Sequence, residues 1–301
     1  MNIKSIVLAL LALSMLSGCT ENSTSSTTAT PLVTQSSASN DTLKNTMQVD
    51  KDYHSFANPE AVRVTHLNLD LTVDFAEKVL KGTALLEFER VDATATQLIL
   101  DTRDLTIESV KAKGKALDFE LADTDSFLGA ALTIEIPNNV NKVEISYQTS
   151  PEASGVQWLT PEQTAGKQHP FLFTQAQAIH ARSFIPLQDS PQVRVTYKAT
   201  IRTPKELLAV MSASNDPDTE RDGVYEFSMP QPIPAYLIAL AVGDLHFKAM
   251  GERTGVYSEQ GILDAAAAEF SDTESMLIAT EKAFGPYSWD RYDLLILPPS
   301  F

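Results

Sequence analysis

Five histidines, His54, His66, His169, His180 and His246, are the side chains of this sequence best suited to hold a metal ion. Hydrolytic zinc centres place two histidines four apart on one helix face, with a glutamate after the first to activate the metal-bound water. None of the five is followed by Glu, and no two lie four apart. The single cysteine, Cys19, excludes a Cys-x-x-Cys pair and an internal disulfide. Gly-x-Ser-x-Gly does not occur, and the 12 glycines form no phosphate-cradling cluster. A carboxylate pair can be imagined anywhere among 39 acids, so no particular pair stands out. Those acids face 23 Lys and Arg, a formal net charge of −16. An acidic surface of that size argues against nucleic acid as a partner, because phosphate binding needs clustered cations.

One stretch has the composition of a binding site. In "HPFLFTQAQAIHARSFIPLQDSP", residues 169–191, Gln175 and Gln177 sit two apart in an apolar run. On a strand they point to the same side. Amides in apolar surroundings need partners, because an unpaired buried polar group costs about 1–3 kcal/mol. Neighbouring groups of the chain could supply them, or a bound peptide backbone, whose donors and acceptors match an amide.

The elements around this stretch are mostly strands. In "RVTHLNLDLTVDF", Leu67, Leu69, Leu71, Val73 and Phe75 alternate with Asn68, Asp70, Thr72 and Asp74. Similar runs follow at "GTALLEFERV", "TQLILDT", "LTIESVKA", "ALTIEIP", "NKVEISYQT" and "PQVRVTYKATIRTP", separated by turn residues such as Lys113-Gly114 and Asp222-Gly223. This pattern predicts an antiparallel β-rich domain over residues 52–248. From residue 249 the order becomes strand, helices, strand, which opens an α/β unit. Within it, Ser271 and Glu274 have capping-box spacing, and Gly285-Pro286 is a stop signal.

The N-terminus carries targeting chemistry. Lys4 precedes an apolar run from Ile6 to Leu16, then Ser17-Gly18-Cys19. The run is shorter than the ~20 residues that span a bilayer and fits a secretory leader. Small residues before a cysteine resemble the bacterial lipoprotein signal, in which the cysteine is acylated. Residues 1–18 are then the leader, Cys19 the lipidation site and the lipid membrane a partner. Residues 19–51, rich in Ser and Thr, form a flexible tether. Thr20 stands where an aspartate would signal inner-membrane retention. The expected location is the bacterial cell envelope, lipid-anchored, with the outer membrane or a periplasm-facing position favoured.

Three blocks in order carry a second resemblance: "FLFTQAQAIHARSFIPLQDSPQVRVTYKATIRTPKELLAVMSA" (171–213), "QPIPAYLIALAVGDL" (231–245) and "FSDTESMLIATEKAFGPYSWDRYDLLILPPSF" (270–301). Together they resemble the N-terminal portion of the aminopeptidase N / leukotriene hydrolase family of zinc metallopeptidases, in its leukotriene-hydrolase-like branch. The resemblance implies a mainly β fold, with a saddle-like antiparallel β-sandwich followed by the start of a thermolysin-like α/β zinc-peptidase domain over residues 249–301. It implies removal of N-terminal residues from peptides. Gln175, Ala176 and Gln177 would form one wall of the substrate cleft. The family's Gly-x-Met-Glu-Asn loop, its His-Glu-x-x-His zinc site and its transition-state tyrosine would lie past Phe301. The expectation is therefore zinc in the intact family member, no metal or catalytic residue within residues 1–301, and no hydrolysis by these residues alone. The alternative is a non-catalytic lipoprotein module that binds a peptide or a partner.

Overall fold

Alternation in the sequence becomes the two faces of strands. A computed structural model describes residues 51–300. Its first strand, β1 (Val62–Asp74), buries Leu67, Leu69, Leu71 and Val73 and turns Asn68 and Asp70 to solvent. Val62 and Val64 are also buried, with the opposite parity. A β-bulge between Val64 and His66 accounts for the change, since one extra residue flips every later side chain to the other face.

β2 (Val79–Arg90), β3 (Gln97–Thr102), β4 (Thr106–Ala112), β5 (Lys115–Ala116), β6 (Phe119–Leu121), β7 (Ala130–Glu135) and β8 (Lys142–Gln148) follow. Then come β9 (Val156–Leu159), β10 (Phe171–Thr174), β11 (Arg194–Arg202), β12 (Leu208–Met211), β13 (Val224–Pro234) and β14 (Leu240–Gly243). They form a seven-stranded sheet, β13-β11-β1-β2-β8-β4-β5, a four-stranded sheet, β12-β14-β10-β9, and a three-stranded sheet, β3-β7-β6. Pairing is antiparallel except between β1 and β11, which run parallel. β12 and β14 are buried at every position. Their sequences, LAVM and LAVG, are unbroken apolar runs, as strands covered on both faces require. One continuous apolar core joins these sheets.

The chain ends in β15 (Leu245–Ala249), β16 (Thr254–Glu259), α1 (Leu263–Glu269), α2 (Thr273–Phe284) and β17 (Tyr292–Leu295). The sheet order is β15-β16-β17, with β16 and β17 parallel across the two helices. A parallel pair needs such a crossover. The expected boundary after residue 248 falls inside β15, which pairs with β16 and so joins the terminal sheet. The architecture is mainly β, as the sequence predicts, with the α/β element at its end.

The capping box expected at Ser271 and Glu274 does not form. The N-cap of α2 is Asp272, without a side-chain cap hydrogen bond. Glu274 Oε2 instead accepts from the Arg253 backbone N–H at 3.1 Å and from Thr254 Oγ1 at 2.9 Å. Two donors in the β15–β16 turn outcompete one at the helix end. Gly285 closes α2 at φ 97°, where a side chain would be strained. The predicted leader, Cys19 and nearly all of the predicted tether lie outside the described residues. Among the described residues no helix is long and apolar enough to cross a membrane.

Candidate functional site

β10 sends Phe171, Leu172 and Phe173 into the core and ends at Thr174. Gln175 and Gln177 therefore lie just past the strand, not on it. Both are exposed, with buried Ala176 between them, and neither side chain hydrogen-bonds to any described residue. Two amides in apolar surroundings were expected; the strand ends too early, and the amides face solvent from a turn. The Gln177–Ala178 peptide is cis.

The backbone of this turn is held at both ends. The Gln175 N–H donates to the Gly155 carbonyl at 2.9 Å. The Gly155 N–H donates to Ser183 Oγ at 2.9 Å, and Ser183 Oγ donates to the His180 carbonyl at 2.8 Å. The His180 N–H closes the turn onto the Ala176 carbonyl at 2.8 Å.

Beneath lies a buried ionic floor. Arg182 is 0% exposed, a fully buried charge. Its Nε donates to Asp189 Oδ2 at 3.1 Å, its Nη1 to the Leu128 carbonyl at 2.8 Å, and its Nη2 to the His54 carbonyl at 2.7 Å and the Asp189 carbonyl at 3.1 Å. Asp101 stands 3.7 Å from Nη1. It accepts from Ser55 Oγ at 2.6 Å and from the backbone N–H groups of Phe56 at 2.7 Å and Asp189 at 2.9 Å. Two carboxylates thus share one buried cation. Burial, opposed by Arg182, raises both, and Asp189 is pushed up to about 6.

A third group edges the turn. His180 Nδ1 lies 2.8 Å from Ser154 Oγ and 3.3 Å from Arg103 Nη1. Burial, then the charges of Arg103 and Arg182, holds this imidazole below its ordinary value. With an arginine N–H aimed at Nδ1, that nitrogen accepts and the proton resides on Nε2. Beside Gln175 a cavity of about 390 Å³ opens between β10, β12, β14 and β17, lined in part by Met211, Leu240, Leu294 and Leu295.

The remaining histidines are dispersed. His66 bonds Thr196, His246 bonds Asp244, and His54 stands by Asp52. Among the described residues no three His, Cys, Asp or Glu side chains assemble into a group that could hold a metal. No chemical step is assigned to a metal ion here. Sequence reasoning singled out Gln175, Ala176 and Gln177 and did not single out Asp101, Arg103, Ser154, Gly155, Arg182 and Ser183, which the structure places around them. Of these only Arg182 carried a signal, as a charge within the apolar stretch that holds the glutamines.

With this geometry the class of the chain can be stated. Residues 63–237 match the Peptidase M1 N-terminal domain, and the chain belongs to that family of zinc metallopeptidases. Among its relatives is leukotriene A-4 hydrolase from Xenopus laevis, 45% identical over 260 residues that cover 83% of this chain and 43% of the relative. Leucine aminopeptidase 2 from Yarrowia lipolytica is 39% identical over 259 residues, covering 84% of this chain and 39% of that one. The solved leukotriene A4 hydrolase from Saccharomyces cerevisiae superposes with a TM-score of 0.79 at 32% identity, over 84% of this chain and 40% of that chain. An M1 zinc metallopeptidase from Deinococcus radiodurans shares the fold, with a TM-score of 0.64 at 21% identity over 79% of this chain and 57% of its own. The chain spans less than half the length of the curated relatives it matches.

Proposed function

We propose that this chain is the N-terminal portion of a lipid-anchored zinc aminopeptidase, and that it contributes one wall of the cleft that receives the peptide. The carrying observation is the pair of exposed, unpartnered amides of Gln175 and Gln177 on a backbone fixed from below. Such a pair can donate to and accept from an extended peptide without giving up bonds of its own. The relatives named as a leukotriene hydrolase and a leucine aminopeptidase agree with a peptidase of this branch. Zinc, its ligands and the general base would come from chain beyond these residues. Acylated Cys19 would hold the protein at the bacterial envelope, with the outer membrane favoured by Thr20.

Two measurements test this. The chain should bind the tripeptide Leu-Ala-Ala saturably, and Gln175→Ala with Gln177→Ala should abolish that binding. It should not cleave leucyl-aminomethylcoumarin with added zinc, and zinc-dependent turnover would overturn the division of labour. Replacing Cys19 with Ala should move the protein from the detergent phase to the aqueous phase on Triton X-114 partitioning.

A second reading, a non-catalytic peptide-binding module, is favoured by the dispersion of the histidines. It gains ground if the chain binds the tripeptide and melts cooperatively as a monomer while its reading frame stops at Phe301.

A further inference from the structure

The glutamines are exposed, yet the turn that carries them is tied down as closely as a core strand. Gly155 touches both ends of it. Its carbonyl takes the Gln175 N–H, and its N–H is bound to Ser183 Oγ. The nine residues 175–183 are thereby closed onto a single residue, with Ser183 Oγ also donating inward to the His180 carbonyl. No side chain can stand at position 155. A Cβ there would lie 2.6 Å from the His180 carbonyl oxygen and 2.8 Å from Ser183 Oγ, inside contact distance of the turn itself. The glycine is required by close approach of two backbones, since its own φ is ordinary. Ser183 in turn is fully buried, and the adjacent Arg182 is locked into the ionic floor.

From this we infer that Gly155 and Ser183 are positioning residues for Gln175 and Gln177. They form a two-point clamp that fixes the backbone of residues 175–183 so that both amides are presented in one arrangement. The inference rests on the peptide-binding reading above for its purpose, but not for its geometry. A binding pair on a free loop would lose conformational entropy on every encounter with a peptide. A clamped pair has lost it on folding. Neither residue touches the peptide in this scheme, because Ser183 is buried and Gly155 offers no side chain.

The test uses the full chain carrying Ser183→Ala, which removes the hydroxyl without adding volume, and a second variant, Gly155→Ala, which wedges the clamp open. Hydrogen exchange is followed amide by amide, and Leu-Ala-Ala binding is titrated in parallel. In Ser183→Ala, amides of residues 175–183 should exchange at least ~10-fold faster, a change corresponding to 1.4 kcal/mol of local opening. Amides of β1, β2 and β8 should be unchanged, and tripeptide affinity should fall several-fold. Gly155→Ala should show the same local pattern more strongly. Unchanged exchange at 175–183 in Ser183→Ala would overturn the inference. So would a uniform rise across all sheets, which marks a merely structural residue. If wild-type protein fails to bind the tripeptide, the peptide-binding reading falls, while the exchange pattern still decides whether the clamp exists.

Discussion

Gln188 is buried against β1, Gln175 and Gln177 are exposed past the end of β10, and the same side chain leads opposite lives in the two places. Gln188 is buried. Its Oε1 accepts from the Val64 N–H at 2.9 Å, and its Nε2 donates to the Val62 carbonyl at 2.8 Å. One amide therefore serves two backbone groups of an extended strand, next to the bulge that takes β1 out of regular register. The rim glutamines have the same donor and acceptor and no such strand to meet. The molecule thus contains a worked case of glutamine reading an extended backbone, and elsewhere two glutamines free to do the same to another chain. The difference lies in the elements that surround them, not in the residue.

The floor is where the comparison can be broken most severely. Arg182→Met should destabilise by about 3–5 kcal/mol, because it leaves Asp101 and Asp189 buried without their cation. Urea denaturation reads this directly, as a lower midpoint at unchanged slope. Gln188→Ala should cost less, about 1–3 kcal/mol, as the Val64 N–H and Val62 carbonyl lose their partner in a dry place. A loss below 0.5 kcal/mol there would mean that water replaces the amide and that this place is wetter than its packing implies.

The floor should also respond to pH. Burial raises Asp189 from 3.8 to about 6, and Asp101 moves the same way. The folded protein therefore holds protons that the unfolded chain has released between about pH 4 and pH 6. Stability from this cluster is fully present below the unfolded value and falls as pH rises through that window. The midpoint temperature should drop by at least about 2–4 °C between pH 4.5 and pH 7 on this account. Asp189→Asn should flatten that slope whatever it does to absolute stability. A slope of the same size in the variant would place the titration elsewhere.

How much of this was legible depends on how many faces of an element are covered. β1, β8 and β11 each bury one face, so Leu67, Val143 and Tyr197 announced themselves by period-two alternation. β12 and β14 are covered on both faces, and LAVM and LAVG contain no alternation to read. The bulge in β1 was invisible for a related reason, since Val62 and Val64 keep an apolar parity that is simply out of step with Leu67. At the site, the glutamines were legible as amides in an apolar run, but β10 stops where its pairing with β9 stops, at Thr174 opposite Val156, and no local pattern around the glutamines shows that. Asp101 and Arg182 stand 81 residues apart (182 − 101), beyond the reach of any local pattern. Only folding reveals them as one cluster.

The rim gives the smallest effect on stability and the sharpest contrast. Gln175→Ala and Gln177→Ala, singly or together, should change unfolding free energy by no more than ~0.5 kcal/mol, the range of exposed positions that make no internal bonds. The double variant should nevertheless lose tripeptide binding. Gln188→Ala should show the reverse, a clear stability loss with binding reduced only as far as the fold deforms. If instead the rim substitutions destabilise as much as Gln188→Ala, then Gln175 and Gln177 hold the fold rather than a peptide. The two kinds of glutamine would then differ only in exposure. The two variants measured side by side, by denaturation and by titration, decide between an amide that completes the protein and one that completes its ligand.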